Sequence, residues 1–255
     1  MKTQLVSALF CLSAFVGCVD PADDPSAEPR IATNGLVPTA IHPNNLNAKV
    51  LTGPNIASTA GMEDTTAHQI FTSYLVACAL APSQCVTSQY LGQYYTYCGA
   101  IGIAPAWTTR PLGSIEVKEV SACVLTRANL NGYNITISIR SDNTALATTT
   151  TEVADYQAQE AAFYGDIFTS AAGAIHACNG VDQVRLGDTW GDLPSRQCGQ
   201  PDPNNPGHTP CGFVFDGNCA DICTANGDHY SSCVDAGGSS HPNVETSWLY
   251  GTPPA

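Results

Sequence analysis

Hydrophobic positions along the chain change period at Gly132. From Glu116 to Asn131, Val117, Val120, Val124 and Ala128 recur at helical spacing with Cys123 and Leu125 beside them, which predicts an amphipathic helix. Glycine then suits a left-handed stop. Beyond it Ile135, Ile137 and Ile139 alternate with Thr136, Ser138 and Arg140, the pattern of a half-buried strand. Ahead of this unit, Ile70, Phe71, Tyr74, Leu75 and Cys78 form one face of a helix from Thr65 to Leu80, with Asp64 or Thr65 to cap it and Pro82 to end it. After it, Tyr156, Phe163, Tyr164, Ile167 and Phe168 make an apolar stripe for a third helix from Glu152 to Phe168, on which Glu152, Tyr156 and Glu160 fall in line. Gly165 costs that helix about 1 kcal/mol relative to alanine and marks close packing against another backbone or a break. Ala171–Cys178 reads either as a short strand or as the helix continued.

The remaining segments are less regular. Residues 31–61 are rich in Asn, Pro and Gly, with one short edge strand expected at Lys49–Leu51. Residues 99–113 are apolar but broken by Gly and Pro, a buried connection with Trp107 as its plug. From Asn179 the chain turns to Gly, Pro, Asp and Asn with thin apolar content. That composition predicts a disulfide-held flap on a helical core, with Trp248–Tyr250 as a last short strand. The fold class expected is α+β: a single disulfide-rich domain over 46–255, with about three helices, a short sheet and an irregular Cys-rich C-terminal region.

Charge and cysteine content narrow the setting. Only 12% of residues are charged and the formal net charge is −13, which excludes nucleic acid as a partner because phosphate binding needs clustered Lys and Arg. Twelve cysteines against three lysines point to an oxidising compartment. Residues 1–17 carry Lys2 and an apolar run from Leu5 to Val16, too short to span a bilayer and proportioned as a signal peptide. The following junction, Phe15-Val16-Gly17-Cys18, resembles the lipobox of bacterial lipoproteins, with Phe15 where leucine is usual. That resemblance implies lipidation of Cys18, palmitate among the acyl chains, and a membrane partner through the N-terminal anchor. It also implies the outer membrane, since Val19 stands where aspartate favours inner-membrane retention. Residues 18–45 then form a tether, acidic and proline-rich over 19–30.

Removing Cys11 and acylating Cys18 leaves ten cysteines, Cys78, Cys85, Cys98, Cys123, Cys178, Cys198, Cys211, Cys219, Cys223 and Cys233, all expected to pair. Cys85 with Cys98 would close a tyrosine-rich loop, and Cys123 would join its helix to Cys78 or another helix. Cys219 and Cys223, four apart, are badly placed to bond to each other on a helix.

Candidate chemistry is sparse. Tyr90, Tyr94, Tyr95 and Tyr97 fall between Cys85 and Cys98, either as a stacking platform for a sugar or peptide or as core and rim. Cys211, Cys219 and Cys223 with His208 and His229 invite a zinc reading, but oxidation and the absence of close CxxC knuckles favour disulfides. Asp216 to Asp221 alternates oxygen donors as a calcium loop does, without the twelve-residue frame. No GxSxG, HExxH or Cys–His nucleophile occurs, and the six histidines read as surface residues. For hydrolysis by paired carboxylates, Glu119 and Glu160 are the pair to check. No catalytic residue, metal ligand or cofactor is assigned.

The segments VSACVLTRANLNGYNITISIRS (120–141) and EVADYQAQEAAFYGDIF (152–168), followed by CGF at 211–213 and the Cys219/Cys223 spacing, resemble a group of exported, cysteine-rich proteins common in myxobacteria and related bacteria. The likeness runs from about Thr65 to Tyr250 and implies export, with no catalytic residue attached. The function expected is a cell-envelope lipoprotein that binds envelope glycan or a protein partner or serves structurally. The alternative is an exported glycan or peptidoglycan hydrolase.

Overall fold

The computed structural model describes residues 31–33, 35–41, 48–169 and 173–254; the expected signal peptide, Cys18 and the acidic part of the expected tether lie outside the described residues. At the centre is a six-stranded sheet of order β1 (Ile31–Thr33), β4 (Thr136–Arg140), β11 (Glu245–Leu249), β5 (Ala158–Gly165), β6 (Ile175–Asn179) and β7 (Val214–Asn218). All neighbours are antiparallel except β6 and β7. One face carries α2 (Thr66–Ala79) and α3 (Ser114–Thr126), joined by a Cys78–Cys123 disulfide. A smaller three-stranded sheet, β8 (Cys223–Asn226), β9 (His229–Val234) and β10 (Ser240–Pro242), packs on the other. A hairpin of β2 (Cys85–Tyr90) and β3 (Gln93–Cys98) stands apart, closed by Cys85–Cys98. Four short helices complete the described chain: α1 (Gly53–Ser58), α4 (Thr150–Asp155), α5 (Val181–Leu186) and α6 (Cys219–Ile222).

The chain is α+β, with six α-helices and three sheets among the described residues instead of about three helices and a short sheet. The helix expected over Glu152–Phe168 is one turn and a half of α4 followed by β5. Every residue of β5 is buried, so the strand shows no alternation from which its period could be read. Its Ala-, Gln- and Glu-rich sequence favours helix locally, and its place between β11 and β6 overrides that preference. Gly165 is a close approach, not a helix break: at φ +126° a Cβ there would lie 2.2 Å from the Ala174 carbonyl oxygen. Ala171–Cys178 resolves to β6 from Ile175 onward, and Lys49–Leu51 is irregular, anchored by the Trp107 indole N–H on the Lys49 carbonyl.

The cysteine-rich end is not a flap. It supplies β7 and, in β11, a strand flanked on both sides within the main sheet. The fold also takes in residues upstream of 46, because β1 pairs with β4 and Leu36 is fully buried. Leu36 explains why α3 stops short of Asn131. Its N–H takes the Arg127 carbonyl and its carbonyl takes the Asn129 N–H, groups that a continuing helix would need. Gly132 at φ +67° therefore sits in a later turn. Strand β4 is buried on both faces, with Ile137 and Ile139 toward the helices and Ser138 and Arg140 toward the small sheet. The guanidinium of Arg140 lies 4.4 Å from the Trp248 ring and donates to the Tyr156 carbonyl, which lets a charge occupy a buried strand position.

The ten described cysteines form five disulfides: the two above, with Cys178–Cys219, Cys198–Cys211 and Cys223–Cys233. Cys219 ends up on the single turn α6 and Cys223 on β8, bonded to different partners.

Candidate functional site

The carboxylates chosen for hydrolysis do not meet. Between Ser247 and Trp248 the pairing of β11 with β5 slips by one residue, so that Glu160 is an unpaired bulge residue. A bulge turns successive side chains to the same face, and Glu160 points with Ala161 toward α3. There its Oε1 accepts from Arg196 Nε at 2.9 Å and its Oε2 from the Ser247 hydroxyl at 2.8 Å, with both partners of the ion pair wholly buried. Glu119, on α3, is half-buried beside a carboxylate that sequence reasoning missed, Glu245. Burial raises the Glu119 carboxyl, against a hydrogen bond with Asn143.

Glu245 is the unusual acid of this structure. Buried Glu63 accepts from Ser88 and Tyr97 and buried Glu152 from Ser138, whereas neither oxygen of Glu245 has a hydrogen-bond partner. Burial first, and then the charge of Glu119, push its carboxyl well above the usual range; Arg127 opposes them. The unfolded chain loses this proton near pH 4.3 while the folded chain keeps it, so stability falls as pH rises from that point toward the folded value. Glu245→Gln is therefore expected to raise the melting temperature at pH 7 by on the order of 1 kcal/mol, about 2–4 °C for a chain of this size, and to leave it unchanged at pH 4. Thermal melts at the two pH values check this; a destabilised variant at pH 7 would mean that Glu245 is ionised when folded.

The tyrosines divide between core and rim. Tyr97 is buried and donates to Glu63, Tyr95 packs on the core, Tyr90 is half-buried, and Tyr94 is exposed on the opposite face of the hairpin. They present no common platform. A small hollow of about 20 Å³ beside Trp107, lined by Leu51, Ile56, Met62 and Leu75 among others, has no carboxylate in its lining. The zinc reading fails on its cysteines, since Cys211, Cys219 and Cys223 each sit in a disulfide. In the calcium-like run, Asn218 donates to Asp221 while Asp216 turns away toward His176.

Asp216 belongs to a polar cluster between the two sheets, which is the best-built group of functional side chains in the described structure. Tyr164 on β5 and His176 on β6 are cross-strand neighbours, and their rings stack with centroids 5.3 Å apart. Asp216 on β7, its side chain fully buried, accepts from His176 Nδ1 and from the Tyr164 hydroxyl, each at 2.8 Å. His241 on β10 lies 4.7 Å from the His176 ring, and its Nε2 bonds Asp235, in the turn between β9 and β10, at 2.9 Å. Histidine 176 is thus a core residue at 5% exposure, not a surface one.

No protein family, curated protein or solved structure matches the chain. The site's chemistry rests on its own geometry. Burial pushes the Asp216 carboxyl up, but bonds from His176, Tyr164 and the Ala236 N–H outweigh it and hold the group below its ordinary value. An ionised Asp216 only accepts hydrogen bonds, so His176 carries its proton on Nδ1 and its Nε2 is left as the ring's acceptor. Burial and Asp216 raise the Tyr164 phenol, which keeps its proton as a donor. His241 and the N–H groups of Ser239 and Gly237 hold the Asp235 carboxyl at about 2. No motif in the chain marks this group, whose five members are scattered from 164 to 241 over four strands and a turn.

Proposed function

We propose that the chain is an exported envelope lipoprotein, anchored by acylated Cys18 through a short tether, that acts by binding envelope glycan or a protein partner. The observation that carries binding over hydrolysis is Glu160: both oxygens are engaged and the side chain is sealed from solvent. The rival, an exported hydrolase, would have Glu119 and Glu245 to draw on, but at 1% exposure Glu245 is out of a substrate's reach. Five disulfides support an oxidising compartment, and none of the described helices is long and apolar enough to cross a membrane.

A screen of the exported protein against peptidoglycan and envelope glycans tests the reading: saturable binding without release of fragments supports it, and turnover overturns it. The anchor is tested separately. Metabolic labelling with a fatty-acid analogue is expected to mark the parent and leave Cys18→Ser unlabelled. Equal labelling of the variant would remove the lipoprotein assignment.

A further inference from the structure

We propose that His176, His241 and Asp235 bind a divalent transition-metal ion of the zinc class between the two sheets, with Asp216 and Tyr164 fixing the orientation of His176. One ligand atom from each of the three lies within 4.8 Å of the others. Zinc–ligand distances of about 2.0–2.2 Å set the donor atoms of a tetrahedral site about 3.3 Å apart, so closing the triangle takes side-chain adjustment of about an ångström. The His241–Asp235 edge is already 2.9 Å. Two imidazoles and a carboxylate are the donors that zinc accepts, leaving a fourth position open to water or another ligand.

The surroundings are those of a metal site and not of a chance cluster. Metal-binding histidines characteristically give their other ring N–H to a carboxylate, which sets the tautomer and strengthens the donor. Asp216 does this for His176, and the Tyr164 hydroxyl and the Ala236 N–H position Asp216 in turn. Two disulfides brace the ligands. Cys178 stands two residues after His176 on β6 and is bonded to Cys219; Cys233 stands two residues before Asp235 and is bonded to Cys223. The Sγ atoms of Cys178 and Cys223 are 3.7 Å apart, so the covalent links of both sheets meet beside the site. Rigid support of this kind is what holds a binding constellation in place. Asp235 and His241 keep 15% and 20% side-chain exposure, so solvent reaches two of the three ligands.

Without metal, His241 gives its Nε2 proton to Asp235. On binding, the ion takes that place, and the proton moves to Nδ1 of the same ring or leaves to solvent. The other described histidine–aspartate pairs, His68 with Asp64 and His229 with Asp142 and Asp228, have no second imidazole in such a cluster.

The full exported chain, extracted in detergent and stripped with a chelator, is titrated with zinc against a chromophoric competitor, and the bound metal is counted by atomic emission. One zinc per chain is expected. His241→Ala and Asp235→Ala, at partly exposed positions, should abolish it with all five disulfides retained, and Asp216→Asn should weaken it by about 10–100-fold. His229→Ala should bind as the parent does. X-ray absorption of the zinc-loaded protein should show nitrogen and oxygen neighbours with two imidazoles. Zinc binding that survives the His241→Ala/Asp235→Ala double variant, a sulfur neighbour, or no stoichiometric zinc in the folded parent would each overturn the site.

Discussion

Full reduction of the protein is expected to unfold the whole six-stranded sheet, not its C-terminal third alone. In the loop-entropy picture the bridges that close 45 and 41 residues, Cys78–Cys123 and Cys178–Cys219, contribute about 4 kcal/mol each, and the shorter loops about 3. A domain's total stability is about 5–15 kcal/mol, so losing all five leaves nothing in reserve. Topology decides how far the damage spreads. Because β11 lies between β4 and β5, releasing the chain after Cys178 withdraws a strand from the middle of the sheet and strips partners from strands on either side. Hydrogen exchange with and without reductant checks this peptide by peptide. Loss of protection should extend to 136–140 and 158–165. Protection confined to those strands and to α3, with exchange only beyond residue 180, would restore the picture of a stapled flap on an independent core.

That picture was the main misreading, and its cause is physical. Segments whose partners lie next to them in sequence were legible. Thr65 caps α2 by accepting from the His68 N–H at 3.1 Å, the hairpin between Cys85 and Cys98 closes on itself, and the Ile135, Ile137, Ile139 alternation lies along β4. Segments defined by distant partners were not. AQEAAFYG at 158–165 has the composition of a helix and becomes a strand only because β6 and β11 supply both edges. At the C-terminal end only Trp248–Tyr250 reads as a short strand, whereas β11 runs from Glu245 to Leu249 and is buried at Glu245, Thr246, Ser247 and Leu249. The His176 cluster was hidden for the same reason: each histidine and aspartate sits alone in its own stretch of sequence. Only pairing β5, β6 and β7 in one sheet and laying β10 over them brings the five together.

The same bulge that removed Glu160 from the list of hydrolytic acids makes it one of the most sensitive positions in the fold. Arg196 gives Nε to Glu160 and its two terminal nitrogens to the carbonyls of Thr126 and Ala128 at 2.8 and 2.7 Å. Those carbonyls belong to the end of α3, where a cation is favoured and unpaired acceptors need a donor. Glu160→Gln keeps the shape of the side chain and an acceptor for Ser247, but leaves a guanidinium charge buried without a counter-ion. Breaking a buried pair in this way typically costs about 3–5 kcal/mol, or roughly 6–20 °C in melting temperature for a chain of this size. Arg196→Met should cost at least as much, because it strands the α3 carbonyls as well as Glu160. The double variant should lose less than the two losses added, since neither charge then remains alone. Calorimetry on the three variants measures the coupling. A Glu160→Gln protein that melts with the parent would show that the pair contributes nothing to stability, and if that protein had also lost a measured hydrolytic activity, Glu160 would return as a catalytic acid.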